Sequence, residues 1–155
     1  MSVDRFQVVP AAYVIFRREH GGRSQVLLQL RRGTGYMDGF WATAAAGHVE
    51  ADESVLESAC REAAEELDII VHPDDLVPLC GMHRTAGNHD PIDERVDFFF
   101  QTETWRGEPR LVEEDKAAEL RWFDLDALPH PVVPHELFVL NRLRSGMPPV
   151  VTFGF

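Results

Sequence analysis

The sequence predicts an α/β fold in which a mixed β-sheet is flanked by two helices. Three observations carry this prediction. Short runs rich in β-branched and aromatic residues recur between Gly-, Pro- and Asp-marked turns. One strongly amphipathic helical stretch interrupts those runs, and a second follows them near the end of the sequence. With 155 residues, 45% of them hydrophobic, the chain is expected to form one domain around a packed core over residues 1–155.

In chain order, Val8 to Phe16 (VVPAAYVIF) and Gln25 to Leu30 (QVLLQL) read as strands, with Arg17 to Ser24 as the turn between them. Arg31 to Gly39 is a loop with three glycines, and Phe40 to Ala46 is a short apolar strand. A helix follows, capped by Asp52 or Ser54, with Leu56, Ala59, Cys60, Ala63 and Leu67 as its core stripe. Further strands are predicted at Leu76 to His83, Arg95 to Thr102 and Glu119 to Phe123, separated by polar loops. Asp124 to Leu128 is read as a helical turn. A second helix is predicted over His135 to Arg144, with Leu137, Leu140 and Leu143 facing the core and Gly146 ending it.

The net charge of −11 argues against partnership with polymeric nucleic acid or an anionic membrane. Cys60 and Cys80 make no disulfide framework and read as reduced thiols. The opening MSVDRFQVVP has no apolar core of signal-peptide length, and no later run is long enough to span a bilayer, so a cytoplasmic location is expected.

The stretch from Gly47 to Ile69, GHVEADESVLESACREAAEELDI, carries the chemistry. Glu62, Glu65 and Glu66 stand three and four apart and share one helix face, about 120° from the core stripe. Three carboxylates within one turn repel each other, so the cluster costs stability unless a cation sits among them.

The register Gly47, five residues, Glu53, seven residues, then Arg61-Glu62-Ala63-Ala64-Glu65-Glu66 closely resembles the Nudix box of a pyrophosphohydrolase family. The resemblance implies a MutT-like Nudix domain, an α/β/α sandwich with the box over residues 47–69. It departs at Asp68, where the family usually has Gly, and at Ala45, where it often has Pro. It further implies Mg2+, with Mn2+ as a substitute, bound by Glu62, Glu65 and Glu66 and joined by the Gly47 carbonyl. Arg61 would pair with Glu53 or Glu65 and hold the cluster in shape, with Glu53 as a structural acid. The general base is left open between Glu62 or Glu65 in the box and Glu113 or Glu114 in a later loop.

Substrate is expected to be a small nucleotide, a nucleoside triphosphate before ADP-ribose or another nucleoside diphosphate sugar. The segment HRTAG (His83 to Gly87) lacks the Pro and Tyr that mark the ADP-ribose and dinucleoside polyphosphate branches of the family. Arg31 and Arg32 are candidates for phosphate contacts, against a reading as surface arginines. Tyr36 and Trp41 are candidates for base stacking, against core packing for Trp41 and Phe40. His83 and Arg84 flank a loop expected to border the cleft. A catalytically silent nucleotide-binding domain is the reading from another class. The family resemblance also raises a homodimer.

Overall fold

The computed structural model describes residues 4–155. Eight strands and two helices follow in order: β1 (Val9–His20), β2 (Arg23–Arg31), β3 (Trp41–Thr43), β4 (Ala45–His48), α1 (Val55–Leu67), β5 (Val77–Arg84), β6 (Arg95–Thr102), β7 (Ala117–Asp124), α2 (Pro134–Leu140) and β8 (Val150–Phe153). The sheet runs β3-β2-β1-β6-β5-β8, with β4 on β1 and β7 on β2. It is mixed: β1–β6 and β5–β8 pair in parallel, the other pairs antiparallel.

Strand β1 organises the molecule because it is apolar on both faces. Alternate side chains of a strand point to opposite sides. Ala11, Tyr13 and Ile15 therefore enter one core with α2 residues Val139 and Leu140. Ala12, Val14 and Phe16 enter the other with α1 residues Ala59, Ala63 and Leu67. Each helix covers one face, which is the predicted sandwich.

Helix α1 begins at a capping box: Ser54 Oγ accepts from Glu57 N at 3.1 Å, and the Glu57 carboxylate accepts from Ser54 N at 2.7 Å. Its buried face is Ser58, Ala59, Ala63 and Leu67, whereas Leu56 is 38% exposed. The apolar stripe is thus narrower than the hydrophobic residues alone suggest, because small residues bring the helix close to the sheet.

Other boundaries moved. The first hairpin turns on Gly21-Gly22 alone, both at positive φ, so β1 and β2 extend through the polar residues read as a turn. Phe40 to Ala46 divides into β3 and β4, which pair with different strands. Helix α2 is shorter than the amphipathic pattern predicts, and Leu137 is only half-buried. The edge strand β8 had no counterpart in the sequence reading, since four residues after Pro148-Pro149 carry little periodic signal. Among the described residues no helix is long and apolar enough to cross a membrane.

Candidate active site

The acidic face of α1 meets β4 at one end of a cleft. Arg61 is the hub. Its Nε and Nη2 bind both oxygens of Glu53 at 3.0 and 2.7 Å, and Nη1 reaches Glu62 at 2.9 Å and Glu65 at 3.1 Å. Nη2 also donates to the His48 carbonyl at 3.2 Å, which ties the helix to the end of β4. The Arg61 bond holds the Glu53 carboxyl down at about 2, far below its ordinary value. Glu53 is therefore an ionised structural partner, and a poor proton acceptor near neutral pH.

Glu66 stands apart from Arg61. Its Oε2 accepts from Ala46 N at 3.2 Å. Burial raises its pKa, and the neighbouring Glu62 charge raises it further. Burial raises Glu62 as well, against the pull of Arg61. Two carboxyls that resist ionisation side by side are stabilised by a cation between them. The donor set is hard oxygen, which fits Mg2+ or Mn2+. Among the described residues no group of three or more His, Cys, Asp or Glu side chains is converged for a metal ion. Arg61 draws Glu62 and Glu65 toward its guanidinium instead, so taking up a cation requires those two side chains to turn.

Gly47 is required here for space. A Cβ on it would fall on the Glu62 carboxylate, the flexible end of a side chain. Gly47→Ala should therefore displace Glu62 while leaving the fold intact. Catalytic misplacement by about 1 Å costs about 10²-fold. A loss of that order in kcat, with a melting temperature within about 2 °C of wild type, is the expected result of paired rate and thermal-denaturation measurements.

The end of α1 also anchors the loop before β7. Asp68 occupies the left-handed region at φ 55°, ψ 42° and caps the helix through its N–H to Ala64 O. Its carboxylate pairs with Arg110 Nε at 3.0 Å. Arg110 N donates to Leu67 O at 3.1 Å and Val112 N to Glu66 O at 3.2 Å. Asp at the cap thus keeps the geometry usually given by Gly and adds a side-chain contact to this loop. The loop carries Glu113, whose charge is felt at Glu66.

A cavity of about 680 Å³ opens from this acidic corner. Glu66, Gly47 and Glu113 line one part of it, and Arg31, Arg84, Arg95 and Lys116 also line it. Four cations around one cavity are notable in a chain of net charge −11. The remaining wall is polar and buried. His135 Nε2 and Tyr13 Oη are 3.1 Å apart, and Glu136 accepts from Thr43 N at 2.8 Å and from Thr43 Oγ1. Arg84 Nε donates to the fully buried Asp97 at 2.6 Å.

The NUDIX domain family profile matches residues 8–142. The chain belongs to the Nudix family. It is 31% identical over 123 residues to the Nudix hydrolase YfcD of Escherichia coli K12, a match covering 72% of this chain and 57% of that protein. The chain thus spans somewhat more than half the length of the curated relatives it matches. A MutT NUDIX hydrolase from Burkholderia pseudomallei is 29% identical with a TM-score of 0.76, covering 88% of this chain and 98% of that one. The NUDIX domain of Shewanella oneidensis NrtR, solved with ADP ribose, shares the fold at TM-score 0.71 and 19% identity, with 90% of this chain and 88% of that one covered.

Within this Nudix domain the expected residues separate. Gly47, Glu66, Glu113, Arg31, Tyr36 and Arg84 line the cavity. Glu62 lies against Gly47, and Glu53 and Arg61 brace it. Glu65 is largely exposed at the rim. Glu114 is exposed and is not part of the cavity lining, and its carbonyl accepts from Arg32, so Arg32 holds the loop. Trp41 is buried and packs edge-on against Phe123 at 4.7 Å, which takes it out of the stacking surface. His83 lies outside the lining, with its ring 4.7 Å from Phe155.

Tyr13, Gln29, Thr43, Lys116, His135 and Glu136, to which the sequence alone assigns no site role, all line the cavity, as do His48 and Arg95. Glu136 had a signal: it falls four residues before Leu140 and seven before Leu143, on the core stripe of α2. A carboxylate at such a position is buried for a reason.

Burial raises the Glu136 carboxyl to about 7, against the bonds from Thr43. In the unfolded chain it returns to about 4.5. Its stabilising contribution is full below about 4.5, falls as pH rises, and levels off above about 7. Relative to Glu136→Gln, wild type should lose on the order of 3 kcal/mol across that window, measured by urea unfolding at a series of pH values. A pH-independent difference would contradict the assignment.

Proposed function

We propose that this Nudix domain is a divalent-cation-dependent hydrolase of a nucleoside diphosphate linked to another group, acting on a nucleoside triphosphate. The observation that carries the reading is the opposition of two charges in one cavity. Glu62 lies against Gly47 and Glu66 against Ala46 on one side, and Arg31, Arg84, Arg95 and Lys116 line the same space. A polyphosphate needs both: cations to hold its oxygens, and an acidic site for the metal that neutralises charge developing at phosphorus.

Glu62 and Glu66 would hold Mg2+, with Gly47 leaving room for the Glu62 carboxylate. A bound divalent cation supplies charge neutralisation and acidifies a bound water. Arg61 holds Glu62 and Glu65 through Nη1 and would release them as the cation is taken up. Arg84 and Arg95 orient phosphate oxygens. Glu113, the loop carboxylate on the cavity lining, is the favoured general base, since Glu53 is held ionised by Arg61 and is a weak base. Water adds at phosphorus, its proton passes to the base, and the bridging oxygen leaves with the departing pyrophosphate or nucleoside monophosphate.

ADP-ribose hydrolysis is the second reading, favoured by the ADP ribose seen in the Shewanella domain of the same fold. A Nudix-type isoprenoid diphosphate isomerase would need a catalytic cysteine. Cys60 is half-buried on the core side of α1, and Cys80 is buried in the opposite core. The test is a nucleotide panel with Mg2+, including ADP-ribose, assayed for phosphate, pyrophosphate and nucleoside monophosphate. Release of pyrophosphate with a nucleoside monophosphate, abolished by EDTA and restored by Mg2+, is the expected result. Release of AMP and ribose phosphate from ADP-ribose alone would favour the second reading. Tight nucleotide binding with no turnover would leave only a silent binding domain.

A further inference from the structure

Thr43 sits on the cavity wall, and two side chains from different elements are tied to it. Gln29, on β2, donates from Nε2 to the Thr43 carbonyl at 3.3 Å. Glu136, on α2, accepts with Oε1 from Thr43 N at 2.8 Å and from Thr43 Oγ1. Each tie uses one end of a forked group and fixes the other. Gln29 must present Oε1, because its nitrogen is the end that can donate to a carbonyl. Glu136 must present Oε2. Both residues line the cavity, and among the described residues neither of these two oxygens meets a donor.

Neither oxygen is sealed off, so both stay accessible from the cavity even though the Glu136 residue is only 3% exposed. Thr43 has its own backbone N–H and hydroxyl satisfied by Glu136, so the pair is held in one orientation before anything binds. That is how a recognition surface is preorganised.

We propose that Gln29 and Glu136, both held by Thr43, form the specificity-determining wall of the cavity, and that they select a nucleotide whose base carries an exocyclic amino group. The proposal rests on the hydrolase reading above. Gln29 Oε1 can only accept, so it calls for an N–H on the ligand. Glu136 Oε2 accepts a ring N–H when ionised, and donates to a bare ring nitrogen when it carries a proton. The first pattern matches the guanine edge, and the second matches adenine or cytosine. Both place an amino group on Gln29. Uracil and thymine offer a carbonyl oxygen where the amino group belongs, and Gln29 Oε1 then faces another acceptor. Discrimination of about 10–100-fold follows from one such pair.

The experiment compares ATP, GTP, CTP and UTP as substrates with Mg2+ for wild type, Gln29→Leu and Glu136→Gln. Thermal melts verify that each variant is folded. Wild type is expected to favour at least one amino-bearing base over UTP by about 10–100-fold in kcat/KM. Gln29→Leu should reduce that ratio to within a few-fold of unity, mainly through KM. Glu136→Gln keeps an acceptor for Thr43 but presents an amide to the cavity, and should alter the ranking among ATP, GTP and CTP. UTP turnover equal to the others in wild type, or a wild-type ranking retained in both variants, would overturn the wall. If wild type hydrolyses none of the four, the triphosphate reading fails by itself. The wall is then decided by NMR titration with adenosine, guanosine, cytidine and uridine: tighter binding of an amino-bearing nucleoside that Gln29→Leu abolishes supports it, and equal binding of all four overturns it.

Discussion

Glu66→Gln should slow hydrolysis by about 10²–10³-fold while leaving the protein folded. The substitution removes one negative oxygen and little else. The Ala46 N–H, which donates to Glu66 Oε2 at 3.2 Å, finds the amide oxygen in its place. Burial already disfavours the charge on Glu66, and Glu62 disfavours it further, so a neutral amide removes an electrostatic cost in the absence of a cation. Stability should hold or rise slightly. Catalysis loses a ligand whose negative charge would help hold the metal at the attacked phosphorus. Removal of one such stabilising group costs about 10²–10³-fold in kcat. Ligand-linked stabilisation offers a second readout, because a ligand that binds only the folded state raises the melting temperature with its concentration. Wild type should show this upward shift with Mg2+, and Glu66→Gln should show it weakly. Equal rates for the two proteins would remove Glu66 from the machinery.

The acidic helix was legible in the sequence because its information is local. The spacing of Glu62, Glu65 and Glu66 fixes a helix face, and the register with Gly47 and Arg61 fixes which residues meet. The structure adds that Arg61 binds both oxygens of Glu53 and also reaches Glu62 and Glu65. It also gives Asp68 a physical reading, a left-handed cap whose carboxylate holds Arg110. The strands were equally visible where apolar residues run together, as in Arg95 to Thr102. They were invisible where pairing alone makes them, as in β8, which exists because β5 offers it a parallel edge.

The rest of the cavity was hidden because it is assembled from afar. Gln29, Thr43 and Glu136 lie on β2, β3 and α2, and the last bond spans 93 positions in the chain. No window of sequence contains that contact. Trp41 shows the converse. Its aromatic character fits stacking, but β3 places it against Phe123 in the core. Residue type narrows what a side chain can do, and only the partner strands decide which face it occupies.

Arg84→Met is expected to be the most destabilising of the changes considered. Asp97 is fully buried on β6, directly beside Met82 and Ala11 in the sheet register. Arg84 is its counter-ion, with Nε at 2.6 Å from Oδ2 and Nη2 at 3.4 Å from Oδ1. Its bond to Asp97 and the carboxylate charge favour the charged guanidinium against the effect of burial. Methionine preserves much of the side-chain volume but removes every donor. Asp97 must then stay charged without a partner or take up a proton at a cost. Breaking a buried pair by deleting one member costs about 3–5 kcal/mol. For a protein of this size that is a fall of roughly 10 °C or more in melting temperature. The double variant Arg84→Met/Asp97→Leu separates the two causes, since replacing both members by apolar groups is often close to neutral. Thermal and urea unfolding of the three proteins should place the double variant well above Arg84→Met in stability. Hydrolysis should stay low in both, because the guanidinium facing the cavity is missing from each. If the single variant is as stable as wild type, Asp97 does not depend on Arg84. If the double variant regains full activity, Arg84 serves the fold alone and has no part in holding phosphate.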